Sequence, residues 1–253
     1  MDIKNKVAIV TGGASGLGRA TVEGFHAQGA KLAIFDLDKE QGSALADNLG
    51  SQVIFCQVNV AEDESIAAGI NRVMEEFGAI HIAVNCAGRS SGGKKTLGRD
   101  GRFPIELFRD VININLIGTF NVLCQAAERM ADNEPDEHGE RGVVINTSSI
   151  AAFEGQKGQV AYAASKGGLV SLTLPVARDL AYYGIRIATI APGLFDTPIL
   201  KGLAPEIKEG LSKKIPFPGR LGHVNDFAEL ASHIVNNHYI NGETIRLDGA
   251  LRM

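Results

Sequence analysis

The sequence predicts a single α/β domain: a doubly wound sheet of about seven parallel strands with helices on both faces. Three observations predict it. Short continuous apolar runs alternate with longer amphipathic stretches along the chain, as buried parallel strands and their crossover helices do. A glycine-rich turn, Thr11-Gly12-Gly13-Ala14-Ser15-Gly16-Leu17-Gly18, separates the first run from the first helix. No Pro/Ser-rich linker or internal repeat divides the 253 residues, a length that suits one large domain.

In order, residues 7–10 make the first strand and residues 16–28 a helix. Residues 31–35 make the second strand, and Asp38 with Gln41 opens the next helix as a capping box. Residues 53–58 are the third strand, 63–77 a helix and 80–85 the fourth strand. A long helix runs through 108–130, and the fifth strand is 142–147. A further long helix covers 160–182, where Pro175 should kink it. The sixth and seventh strands are 185–190 and 244–247. Residues 89–102 and 133–141 read as polar loops. Residues 192–218 read as irregular and follow the sixth strand, where a lid over a ligand belongs.

Composition narrows the function classes. A net charge of -4 and a pI near 5.9 argue against a nucleic-acid or acidic-membrane partner. No apolar run in the sequence approaches the roughly 20 residues that span a bilayer, and the N-terminus runs directly into an apolar strand with no leader pattern. Cys56, Cys86 and Cys124 are odd in number and lack CxxC spacing, so neither a disulfide framework nor a zinc site is expected. Reduced thiols fit a cytoplasmic location. The six histidines form no HExxH pair, and no metal is expected.

Gly12, Gly16 and Gly18 let the backbone turn tightly and approach a pyrophosphate at a helix N-terminus. Asp36 ends the second strand, eighteen residues past Gly18, where an acidic residue can hold a ribose 2′-hydroxyl. A carboxylate there repels the 2′-phosphate of NADP. Neither Ala14 nor Leu37 supplies a compensating cation, so the cofactor expected is NAD. Asp38 is the better helix cap, which should leave Asp36 free for the ribose.

Tyr162 and Lys166 stand four residues apart, on one face of a helix, with Ser149 thirteen residues upstream at a strand end. A phenol beside a fixed cation can exchange a proton near neutral pH. Only one of Ser148 and Ser149 can face the site, because successive strand residues point to opposite faces. The spacing to Tyr162 favours Ser149.

Taken together, Thr11 to Gly18, Asn85-Cys86-Ala87-Gly88, Asn115, Ser149, Tyr162 with Lys166, and Pro192-Gly193 resemble the short-chain dehydrogenase/reductase family over nearly the whole chain. The resemblance implies a Rossmann-like domain that moves a hydride between NAD and a secondary alcohol or ketone. It also implies the site roles. Ser149 would polarise the substrate oxygen and Tyr162 exchange the proton. Lys166 would hold the nicotinamide ribose and lower the Tyr162 pKa, and Asn115 would anchor a relay water. Ser15, Leu17, Cys86, Ala87, Gly88 and Pro192 would contact the cofactor, and Phe195 and Thr197 would clasp its amide. Asn85 would tie strands together. Where the family usually has Asp-Val at the adenine, this chain has Asn59-Val60, an uncharged acceptor.

The stretch 145–156, the run 191–195, Pro216-Phe217-Pro218 and the ending 246–253 resemble the type 2 3-hydroxyacyl-CoA dehydrogenase subgroup. That implies short acyl-CoA substrates, with steroids as secondary ones, and a homotetramer. Gln156, Leu194, Leu200 and Leu203 are candidate lining residues beside Ser149 and Tyr162. Lys94, Lys95, Arg99 and Arg102 either meet coenzyme A phosphates or form a solvated basic loop. Two other readings stay open: a dehydrogenase of a steroid, polyol or sugar, and an NAD-binding scaffold.

Overall fold

The computed structural model describes residues 1–99, 101–197 and 205–253, with the side chain of Pro205 left out. Seven strands form one parallel sheet: β1 (Val7–Thr11), β2 (Lys31–Asp36), β3 (Val53–Gln57), β4 (Ile82–Asn85), β7 (Gly142–Thr147), β8 (Ile185–Pro192) and β9 (Glu243–Leu247). Their order is β3-β2-β1-β4-β7-β8-β9. The order reverses between β1 and β4, and the carboxyl ends there are where such sheets bind ligands. A separate antiparallel hairpin, β5 (Leu97–Gly98) with β6 (Gly101–Arg102), lies in the stretch expected to be a plain loop.

Each central strand is apolar on both faces, and its residues divide between two cores. Ala8, Val10, Ile82, Val84, Val143 and Ile145 pack with Val22 and Phe25 of α1 (Gly16–Ala27) and with Phe227 and Ile234 of α8 (Val224–Asn236). Val7, Ile9, Ala83 and Val144 pack with Ile66 and Ile70 of α3 (Asp63–Phe77), Leu123 of α5 (Thr119–Ala131) and Val176 of α6 (Val160–Leu180). The remaining helices are α2 (Lys39–Leu49), α4 (Ile105–Ile112) and α7 (Pro205–Ser212). Asp38 caps α2, accepting the Gln41 N–H at 3.0 Å.

Two expectations need correction. The helix expected over 108–130 starts earlier, at Ile105, and loosens into a π turn at Asn113–Gly118 between α4 and α5. The helix Ile105–Ala131, with an 18-residue window of mean hydropathy 1.2, is long and apolar enough by length and composition to cross a membrane. The sequence reading missed this because Arg109 and Asp110 interrupt the apolar run. Here Val111, Val122 and Leu123 bury one of its sides in the domain. The long helix expected through Pro175 is there: α6 runs from Val160 to Leu180 with Pro175 inside it. The proline sits on the exposed face, where the Ser171 carbonyl it leaves unpaired can meet solvent. The 192–218 stretch is not wholly irregular, since it contains α7.

Candidate active site

The site grows from the carboxyl ends of β1, β4 and β7. After β1 the chain turns through Gly12, with φ 63°, and Gly16, with φ 53°, into α1. A Cβ on Gly12 would stand 2.9 Å from the Ala87 nitrogen, and one on Gly18 would stand 2.1 Å from the Gly12 carbonyl oxygen. Only bare backbone fits this cradle. Ser15, at the N-cap of α1, makes no side-chain cap and the first turn carries no acid. The helix N-terminus therefore faces outward with uncapped N–H groups, a ready anion site. Leu17 packs partly into the core beneath it.

Asp36 ends β2 as expected, but it is not free. One oxygen accepts the Ala14 N–H at 3.0 Å and the other the Asp38 N–H at 3.0 Å. These bonds fix the carboxylate beside the glycine turn, and each oxygen keeps a lone pair for another donor. Asn59 is likewise engaged. Its carbonyl accepts the Ala61 N–H at 3.1 Å and its amide donates to Glu62 at 2.7 Å. The Val60 carbonyl lies so near Gly118 that a Cβ there would come within 2.4 Å, which seats the π turn against the end of β3.

Beyond β4, the Ala87 N–H donates to Thr11 Oγ1 at 3.1 Å, joining the two strand ends at the reversal point. Asn85 donates to Asn146 at 2.9 Å and holds β4 to β7, the strand-tying role expected of it. The Cys86 thiol takes the Thr147 hydroxyl at 3.4 Å, and burial pushes its pKa up to about 11, so it stays neutral. Gly88 leaves room for neighbours: a Cβ there would stand 3.2 Å from Asn115 Oδ1 and 3.6 Å from Lys166 Nζ.

β7 delivers the serines. Ser148 turns inward and donates to the Lys166 carbonyl at 2.8 Å. Ser149 turns the other way, accepts the Ala151 N–H at 3.1 Å and places its hydroxyl beside the Tyr162 phenol. Burial raises the Tyr162 pKa above the ordinary tyrosine value, and the nearby Ser149 hydroxyl offsets part of that rise. Lys166 Nζ donates to the Thr147 carbonyl at 2.6 Å and lies 5.8 Å from the Tyr162 ring centre. Burial lowers its pKa to about 8.

Asn115 is fully buried in the π turn. Its amide donates to the Arg89 carbonyl at 2.9 Å and to Ser165 Oγ at 3.0 Å, and its carbonyl oxygen accepts the Arg89 N–H at 2.8 Å. Both amide hydrogens are spent, so only an acceptor lone pair remains for a relay water. Ser165 also donates to the Tyr162 carbonyl at 2.7 Å. Sequence reading passed over Ser165 and Thr147. Ser165, three residues after Tyr162 on the same helix face, was the available signal.

Of the remaining expected residues, Pro192 closes β8 and Thr197 is half-buried beyond it. The Phe195 side chain is packed inward. It is 6% exposed and stacks on Gly222, where a Cβ would meet its ring at 2.8 Å, so only its backbone can reach a cofactor. Leu194 packs on a small apolar cluster of Ile150, Ile215, Leu221 and Leu251, which ties the lid to the end of β7 and to the closing residues. Leu200 and Leu203 lie outside the described residues. Gln156 is exposed in a cleft of about 370 Å³ between Thr96 and the 155–160 turn, which reaches Ala163 beside Tyr162.

A glycine-cradled helix N-terminus, a fixed acid ending β2 and a Ser-Tyr-Lys group at the next strand ends define a dinucleotide-linked oxidoreductase site. The family model described as short chain dehydrogenase matches residues 6–208, and the chain belongs to that family. The chain is 49% identical over 252 residues to 3-hydroxyacyl-CoA dehydrogenase type-2 of Bos taurus, covering 99% of this chain and 97% of that one. It is 48% identical to the Drosophila melanogaster protein of the same name, covering 99% of each. The crystal structure of 3-hydroxyacyl-CoA dehydrogenase type-2 from Mycobacterium avium superposes with a TM-score of 0.95 at 44% identity, covering 98% of this chain and 96% of that one.

Proposed function

We propose that this oxidoreductase interconverts a short 3-hydroxyacyl-CoA and its 3-ketoacyl-CoA with NAD. The observation that carries the chemistry is the grouping of the Ser149 hydroxyl, the Tyr162 phenol and the Lys166 ammonium, the last anchored on Thr147 and 5.8 Å from the phenol ring centre. Relatives named for 3-hydroxyacyl-CoA, nearly half identical over the full chain, support the substrate class.

The residues present fit NAD. The Gly12–Gly18 cradle admits no side chain, and the uncapped start of α1 suits a pyrophosphate. Asp36 suits an unphosphorylated ribose, and Asn59 and Val60 would border the adenine. Cys86, Ala87, Gly88 and Pro192, the Phe195 backbone and Thr197 would border the nicotinamide half. NAD supplies the hydride acceptor when bound.

The chain's own work is proton transfer and orientation. Ser149 donates a hydrogen bond to the substrate oxygen. Tyr162 removes the hydroxyl proton during oxidation and returns it during reduction. Lys166 holds the nicotinamide ribose and places a positive charge near the phenol. With an oxidised nicotinamide ring also nearby, two charges oppose the desolvation that raises the Tyr162 pKa. Asn115 keeps Arg89 and Ser165 fixed behind the phenol and offers a lone pair to a relay water. Gln156 and Leu194 border the acyl pocket under the 192–218 lid, and Leu200 and Leu203 belong to the same proposal.

The three free thiols fit the cytoplasm. Exposed Ile117, Phe120 and Leu174 on neighbouring helices suit a homotetramer. Light scattering that returns the 26.8 kDa chain mass would remove the tetramer.

NADH absorbance is followed with acetoacetyl-CoA, a 17-ketosteroid and a sugar panel, each with NADH and NADPH. Acetoacetyl-CoA with NADH is expected to be turned over best. Tyr162→Phe should lower kcat by about a thousandfold or more, the scale of general acid–base catalysis, while still binding NAD. Retained turnover in that variant overturns the mechanism. Preference for a steroid or sugar overturns the substrate, and no turnover at all favours the scaffold reading.

A further inference from the structure

The closing segment of the chain touches both walls of the site. Arg246, in β9, donates to Glu154 at 2.8 Å and to Asp248 at 2.7 Å, and its guanidinium lies 5.2 Å from the centre of the Phe153 ring. Glu154 stands within the stretch that joins Ser149 to Tyr162. Its second oxygen accepts the Met253 N–H at 2.7 Å, and Arg252 Nε stands 3.6 Å from the first. Leu251, 2% exposed, packs against Ile150, the residue after Ser149. On the opposite wall, the Gly193 N–H donates to the Leu247 carbonyl at 2.9 Å, and a Cβ on Gly193 would stand 2.8 Å from the Asp248 Cβ.

A lone solvated ion pair contributes little to any position. This one is different in kind. The Arg246 and Glu154 side chains are each 22% exposed, Asp248 is 6% exposed, and one planar guanidinium bridges both carboxylates. Residues 153–159 form no helix or strand, so side-chain anchors set their path. Gly158 supplies one anchor, accepting the Ser91 hydroxyl at 3.0 Å. Glu154 supplies another, four residues closer to Ser149.

We propose that Arg246 is a positioning residue: through Glu154 it fixes the path of the Ser149–Tyr162 segment, and so holds the Ser149 hydroxyl against the Tyr162 phenol. The proposal rests on the hydride-transfer reading above. Arg246→Met, Arg246→Lys and Glu154→Gln are compared with the wild type in kcat, KM, NAD affinity and ultraviolet titration of the phenol. The Tyr162 signal is taken as the difference from Tyr162→Phe. Arg246→Met is expected to lower kcat about tenfold with NAD affinity unchanged. Arg246→Lys should recover part of the loss. The double variant Arg246→Met with Glu154→Gln should lose no more than the worse single, because the two act as one unit. Displacing the Ser149 hydroxyl from beside the phenol should also move the Tyr162 titration upward.

An unchanged kcat, or a fall in kcat matched by an equal fall in NAD affinity, overturns the proposal. If Arg246→Met does not fold, Arg246→Lys and Glu154→Gln carry the same readouts. A wild type inactive on every substrate counts against the reaction and not against this brace. The phenol titration then decides: a shift in the variants supports the brace, and an unmoved titration overturns it.

Discussion

Gly18 shows how tightly single residues constrain the site. Its hypothetical Cβ lies 2.1 Å from the Gly12 carbonyl oxygen, a backbone atom that cannot swing away. Gly18→Ala should therefore open the turn and lower NAD affinity at least tenfold, about 1.4 kcal/mol. Titration calorimetry with NAD reads this directly, and an unchanged dissociation constant would remove Gly18 from the cradle. Residues of this type were legible in the sequence, because glycine spacing states a backbone requirement that survives without neighbours. So was the choice of Ser149 over Ser148, which follows from strand alternation together with the spacing to Tyr162. Ser165 and Thr147 were not legible. Their roles arise from contacts with Asn115 and Lys166 across the fold, which no local pattern encodes. Asp36 was half legible: its place was readable, but the Ala14 and Asp38 N–H groups that engage it were not.

Elements built on periodicity were readable in the same way. The fifth strand was expected at 142–147 and occupies Gly142–Thr147, because a continuous apolar run has one stable home in a buried sheet. The π turn inside the 105–131 helix escaped, since widening a helix by one residue leaves the apolar pattern nearly intact. The β5–β6 hairpin escaped too, for its strands hold only two residues each and face solvent. That hairpin carries a test of its own. Lys94, Lys95, Arg99 and Arg102 are all exposed on it or beside it, and Ser91 and Gly93 press its base onto Gly158. The basic loop is thus docked at the cleft beside Tyr162, a placement that suits coenzyme A phosphates. Changing all four to Ala should raise KM for acetoacetyl-CoA roughly tenfold, with kcat little changed, since the lost contacts hold ground and transition states alike. An unmoved KM returns the loop to a solvated role.

Across the whole molecule, chemistry and stability occupy opposite ends of the sheet. The Ser149, Tyr162 and Lys166 group gathers at the carboxyl ends, while a buried ionic cluster closes the amino ends of β7 and β8. There Glu140 precedes β7, and Arg186 of β8 donates to it at 2.7 Å and 3.0 Å, with side chains 4% and 9% exposed. Arg186 also donates to the carbonyls of Ile234, Val235 and Ile240, so the positive charge sits at the negative end of α8. The Met1 ammonium and His238 approach Glu140 at 3.1 Å and 2.7 Å. Glu140 thus joins the sheet, α8 and the first residue through one carboxylate. Glu140→Ala strands several buried cationic or donor groups without their common acceptor, at a cost of about 3–5 kcal/mol. The carbonyls around Arg186 soften this towards the lower figure. Urea unfolding should show the loss as a lowered midpoint with an unchanged slope. The folded fraction at low temperature should keep its kcat, because the cluster lies at the far ends of the strands that carry Ser149. A variant that is stable but slow would contradict this division, and so would one that leaves the midpoint in place.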